Sequence, residues 1–122
     1  MIKYKAIGDG KIWLKDANVP AETIRLLDGI FDYVDIYRID DPFVYVTKNM
    51  TSFNEVGMYD EKETFMILEE LAPYTQAAMI NLNDGEDHFW RLSFKNGKWI
   101  KEEGAVVYTI DEARQFINRH SA

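Results

Sequence analysis

The run from Pro73 to Tyr108, PYTQAAMINLNDGEDHFWRLSFKNGKWIKEEGAVVY, writes two turns among strand-forming residues and leaves little choice of architecture. Asn96-Gly97 is the strongest short hairpin signal, because both central residues of a type I′ turn need positive φ. That turn predicts Phe94 opposite Trp99 on one face. On the other face it predicts Arg91 opposite Glu102, a cross-strand charge pair worth a few tenths of a kcal/mol. Upstream, Asn83-Asp84-Gly85 fits a three-residue loop with Gly in the left-handed position. Ala78, Ile80 and Leu82 then share a face with Trp90, Leu92 and Phe94. Two turns that agree on one apolar face predict an antiparallel meander, with Trp90 buried between sheet and helix.

The flanks supply the rest of the layers. Gly8-Asp9-Gly10 reads as a hairpin turn between strands near 2–7 and 11–15, since Gly supplies the φ such turns require. Pro20 suits the first position of a helix. Ile24, Leu27, Phe31 and Val34 follow at helical spacing, so the helix is expected over 20–33, unless Gly29 ends it early. Two β-like runs, Asp35–Ile39 and Phe43–Thr47, flank a turn at Asp40-Asp41-Pro42. Residues 48–59 show no period and read as a long loop. Asp60, with Glu63 three residues on, has capping-box spacing. The helix it opens carries Phe65, Leu68 and Ala72 on one face, with Met66 and Leu71 beside it, and Pro73 stops it. Thr109 and Glu112 repeat the capping pattern before Ile110, Ala113, Phe116 and Ile117, which predicts a third helix over 110–120. The likeness of GDGKIW to KNGKWI is read as two hairpins sharing one turn chemistry. The expected fold is α+β: an antiparallel sheet of hairpins and a meander, with about three helices packed on one face.

A chain of 122 residues is expected to form a single domain over 1–122. Its 47% apolar and 14% aromatic content suits a packed core. Without cysteine, disulfides, thiolate metal sites and a Cys nucleophile are excluded. No run suits a signal peptide or membrane span, so a cytoplasmic setting is the expectation. The net charge of −7 argues against nucleic-acid backbones and anionic membranes.

Chemistry is sparsely signalled. Asp84, Glu86 and Asp87, with His88, would suit a hard cation, but the spacing matches no EF-hand loop and no HExxH helix, and a solvated acidic turn explains it. Ser93 with Arg91 or His88 lacks the nucleophile–base–orienter order. No GxSxG elbow, phosphate loop or dinucleotide fingerprint occurs. Asp40-Asp41, Glu69-Glu70 and Glu102-Glu103 are adjacent in sequence, which does not make an acid–base pair. No enzyme activity, metal or cofactor is expected. Tyr37 and Tyr45 read as half-buried sheet residues rather than a base-stacking platform, which would come with a basic groove. Exposed tyrosines do anchor protein interfaces.

Leu71-Ala72-Pro73-Tyr74, then Gly85-Glu86-Asp87, Trp90-Arg91-Leu92 and Phe94-Lys95-Asn96-Gly97, resembles a pattern in small uncharacterised proteins of gut Firmicutes and their mobile elements. The resemblance covers about a third of the chain. It implies a bacterial, mobile-element source and assigns no catalytic role.

The leading expectation is a non-enzymatic protein-interaction module, its partner another protein with a basic surface. Its contact residues would be drawn from Asp84, Glu86, Asp87, Arg91, Tyr37 and Tyr45. An alternative is an acidic inhibitor of a host defence nuclease, presenting carboxylates in place of phosphates. Its candidates are Asp28, Asp32 and Asp35, then Asp60, Glu61, Glu63, Glu69 and Glu70, with the acidic turn. An enzyme or small-ligand-binding domain of unrecognised type is the remaining alternative. Oligomeric state is left open.

Overall fold

Alternating burial along the strands decides the architecture. In a computed structural model, residues 3–49 and 59–104 are described, with side chains from Lys5 onward. The elements are β1 (Lys3–Tyr4), β2 (Ile7–Leu14), α1 (Ala21–Ile30), β3 (Tyr33–Tyr37), β4 (Phe43–Lys48), β5 (Tyr59–Asp60), α2 (Glu61–Leu71), a 3₁₀ turn (Ala72–Tyr74), β6 (Thr75–Asn83), β7 (Phe89–Lys95) and β8 (Lys98–Gly104). Six strands form one sheet in the order β3-β4-β2-β6-β7-β8, and β1 pairs with β5 apart from it. Every pairing is antiparallel. The protein is α+β, with two helices among the described residues. The third helix expected over 110–120 and the residues 50–58 of the expected loop lie outside the described residues. Lys48 extends β4, and Tyr59 opens β5.

One face of the sheet is the core. Ile12, Leu14, Val44, Val46, Ile80, Leu82, Trp90, Leu92 and Trp99 are buried on it, in one cluster with Leu27 and Phe31 of the α1 region and Leu68 and Leu71 of α2. Side chains alternate along a strand, so each strand sends every second residue under the helices. Lys48 is the charged exception: it is buried on this side, with its Nζ 3.9 Å from Asp32.

The meander forms with Phe94 opposite Trp99 and Arg91 opposite Glu102. Asn96 and Gly97 both have positive φ, 53° and 77°. The upstream loop is displaced. Asp84 N–H donates to the His88 carbonyl at 3.1 Å, so the three-residue loop is Gly85-Glu86-Asp87 rather than Asn83-Asp84-Gly85. The slip is even, and only an odd slip exchanges faces. Leu82 therefore still shares a face with Trp90.

The Gly8-Asp9-Gly10 hairpin does not form. β2 runs straight through it, paired on both sides. A Cβ at Gly8 would collide with the backbone carbonyl of Asn81, and one at Gly10 with that of Met79. These glycines permit close approach of β2 and β6, a use distinct from the turn they suggest. GDGKIW and KNGKWI therefore do not share a structure.

α1 is shorter than expected. Pro20 stands at the N-cap, outside the helix, and Ile30 ends it. Gly29 lies within it, exposed. Phe31 turns into extended backbone and is buried, while Val34 belongs to β3. α2 starts where expected: Asp60 Oδ1 accepts from Glu63 N–H at 3.1 Å. Its buried stripe is Thr64, Leu68 and Leu71, with Phe65 and Ala72 packed against the core. Met66 faces solvent instead of standing beside that stripe.

Candidate interaction surface

The other face of the sheet is uncovered among the described residues. Register fixes its rows. One row runs Tyr33, Thr47, Asp9, Asn81, Arg91, Glu102 from β3 to β8. The next runs Asp35, Tyr45, Lys11, Met79, Ser93, Ile100. A third begins Tyr37, Phe43, Trp13, Ala77.

Antiparallel sheets commonly keep one face polar and solvated. Here the β3–β4–β2 half is aromatic. The Tyr37 ring stacks on Phe43 with centroids 4.4 Å apart. Tyr33 meets Tyr45 edge-on at 6.3 Å. Lys11 Nζ sits 4.9 Å from the Phe43 ring centroid. Two carboxylates hold the phenols: Tyr45 O–H donates to Asp9 at 2.6 Å and Tyr33 O–H to Asp35 at 3.3 Å. The charge of Asp35 raises the Tyr33 pKa, and the bond to Asp9 raises that of Tyr45. Both phenols therefore stay neutral, as donors, at ordinary pH. Where β2 leaves the sheet, a groove of about 540 Å³ opens beside Trp13, Pro42 and Ala77, lined also by Asp40, Asp41 and Lys15. Asp40 has φ 62°, a left-handed conformation that Asp tolerates in turns.

The β6–β7–β8 half is polar. Arg91 Nε donates to Asn81 Oδ1 at 2.7 Å on β6, while Glu102 stands opposite it on β8, as expected, and feels its charge. Glu102 accepts from buried Ser93 Oγ at 2.6 Å and from Lys95 at 3.3 Å. Those two bonds, Ser93 first, hold the Glu102 carboxyl below its usual range.

The six expected contact residues are thus divided. Tyr37 and Tyr45 stand together in the aromatic half. Arg91 shares their face three strands away from Tyr45, roughly 14 Å at the usual strand spacing. Asp84, Glu86 and Asp87 form the β6–β7 turn at the opposite end of the sheet from Tyr37. Their carboxylates lie within 4.8 Å of one another. Asp84 Oδ1 already accepts from Glu86 N–H at 2.9 Å and His88 N–H at 3.2 Å, so it ties the turn. The Glu86 N–H bond is the main cause that lowers the Asp84 pKa. His88 is turned elsewhere: it stacks on Trp90 at 4.7 Å and meets Glu103 at 2.9 Å.

Sequence reasoning missed Trp13, Tyr33, Phe43, Met79 and Ile100 as members of this face. The alternation Asp9, Lys11, Trp13 was present, but a turn read across it hid the strand. Tyr33 was absorbed into the end of the first helix. No family model matches the chain, and no curated protein and no solved structure matches it.

Proposed function

We propose that the protein is a non-enzymatic protein-interaction module and that the uncovered face of its sheet is the contact surface. One observation carries this reading. Of the seven large apolar side chains exposed among the described residues, five stand on this face: Trp13 (38%), Tyr33 (51%), Tyr37 (47%), Met79 (43%) and Ile100 (37%). Contiguous exposed apolar surface marks contact sites, and rigid aromatics are the usual anchors. Asp9 and Asp35 amid the aromatics suit a partner that brings cations, hence a protein with a basic surface. The setting we assign is the cytoplasm of a bacterium.

The side-chain bonds support binding over chemistry. The Ser93 hydroxyl goes to Glu102 and the His88 ring to Glu103, so neither forms a nucleophile–base pair with the other. The nuclease-inhibitor alternative has weaker support. It requires acids on one face, whereas carboxylates stand on α1, on α2, in both turns and on the uncovered face. Several are paired with cations: Glu22 with Arg25, Asp32 with Lys48, Glu61 with Lys101 and Glu102 with Lys95.

Affinity capture from the native host, with mass spectrometry, tests the proposal. The expected result is a specific partner retained by wild type and by Met66→Ala on α2, and lost by Tyr37→Ala. Recovery of no specific partner, together with turnover of a metabolite in an activity screen, would replace this reading with an enzyme.

A further inference from the structure

The uncovered face is electrostatically unlike the rest of the molecule. Its strand positions hold four cations, Lys11, Arg91, Lys95 and Lys98, against three carboxylates, Asp9, Asp35 and Glu102. The whole chain carries −7, so the excess acid lies elsewhere. The charges on the face are also sorted. Asp9 and Asp35 stand in the aromatic β3–β4–β2 half with Lys11. Arg91, Lys95 and Lys98 stand in the β6–β7–β8 half with Glu102. The basic surface that suits the aromatic half is therefore present on this same chain.

We propose that the uncovered face pairs with the same face of a second copy. This rests on the interaction-module reading and names its partner. A twofold interface is isologous, so a patch with two complementary halves can satisfy itself. The axis that does this runs along the strands, through the gap between β2 and β6. It lays β3 of one copy over β8 of the other, β4 over β7 and β2 over β6. Tyr37, Phe43 and Trp13 then meet the Lys95–Lys98 end of the second copy. Cations over aromatic rings are a favourable contact, more so when water is excluded. The other in-plane axis would stack β3 on β3 and β8 on β8, setting Asp35 on Asp35, Lys11 on Lys11 and Arg91 on Lys95.

Size is compatible. Six strands at ~4.8 Å and seven residues at ~3.3 Å give about 670 Å² in plan. Side chains of tyrosine size corrugate that area toward the ~800 Å² per partner of a standard interface. Two stacked sheets sit about 10 Å apart, a gap that Trp, Tyr, Met and Ile side chains fill. The acidic helices lie on the two outer surfaces, where their repulsion is screened beyond about 10 Å of salt solution.

Sedimentation velocity from micromolar to millimolar concentration is the first measurement, with a concentration-dependent dimer of the 14.3 kDa chain expected. Met79→Lys sets an ammonium beside Lys11 of the second copy near the axis. It should weaken the dimer roughly tenfold or more, with the circular dichroism and melting of the monomer unchanged. The chain has no cysteine, so Met79→Cys provides a single thiol near the axis. A short bismaleimide should join two such chains, and it should not join chains carrying Met66→Cys on α2.

A monomer at every concentration overturns the pairing. It leaves the interaction module standing if Tyr37→Ala still loses a captured heterologous partner. A dimer unaffected by Met79→Lys, or cross-linked equally through Met66→Cys, also overturns it. So does a monomer whose thiol at position 79 resists labelling, since the face would then be covered within one chain.

Discussion

Along β2 the side chains of Ile12 and Leu14 pass beneath the helices, while Asp9, Lys11 and Trp13, alternating with them, remain accessible. The same division holds across six strands. The covered face is mostly aliphatic, with Phe94 and two tryptophans, and its one buried cation, Lys48, has a carboxylate nearby. The uncovered face carries large side chains too, but its phenols and carboxylates bond to one another and leave the rings partly in solvent. Hydrophobic stabilisation follows area removed from water, so the first face holds the fold and the second has area still to bury. Substitutions should separate the two faces by size of effect.

The largest effect belongs to the covered face. Trp90 is buried beside Tyr59, ring centroids 5.6 Å apart, and Lys101 Nζ lies 5.8 Å from its ring. Trp90→Ala removes most of that packing and should cost about 3–5 kcal/mol in urea denaturation. A loss below ~1 kcal/mol would mean that this face is not the core.

Alkaline pH tests the same layer. Burial, as the largest cause, raises the Tyr59 pKa from 10.0 to about 12. The folded state thus favours the neutral phenol. Its contribution is complete below pH 10 and is lost as pH rises through about 12. By pH 12 wild type should lose ~2 kcal/mol that Tyr59→Phe does not lose. Parallel stability curves for the two proteins would place Tyr59 in water.

How much of this the sequence disclosed depends on the kind of signal. The Phe94–Trp99 register was legible because Asn-Gly at a two-residue turn has one common geometry. The faces of β6 and β7 were legible even with the loop misplaced, since side-chain alternation forgives an even slip. Gly8 and Gly10 were misread because a glycine needed for close approach looks, in sequence, like a glycine needed for a turn. That error hid β2, the strand on which the Asp9–Lys11–Trp13 side of the proposed contact surface stands. Tyr33 was hidden likewise, by helical spacing that ran on past Ile30 into Val34. Tyr37 and Tyr45 were legible as sheet residues with an accessible ring. The separation of Tyr37 and Tyr45 from the acidic turn was not, because it depends on strand order.

Gly8→Ala tests the straight course of β2. Its Cβ would press into the Asn81 backbone at the centre of the sheet. We expect a loss of about 1–3 kcal/mol from overpacking. A neutral Gly8→Ala would favour the turn over the straight strand. A smaller cost falls on α2, where Asp60→Ala removes the bond to Glu63 N–H. Loss of an N-cap is worth about 1 kcal/mol, read as a shift in the thermal midpoint.

The smallest stability effect should come from the uncovered face. Tyr37 stands on edge strand β3, with its ring on Phe43 and nearly half its surface accessible. Truncating it leaves no cavity, because solvent already reaches the site. Tyr37→Ala should therefore change unfolding free energy by no more than ~0.5 kcal/mol. Association should fall far more, since a rigid aromatic anchor at a contact surface is costly to remove. Denaturation and partner binding measured on the same preparation decide the matter. A stability loss above ~2 kcal/mol with binding intact would make this face a second core, and the division between the two faces would not stand.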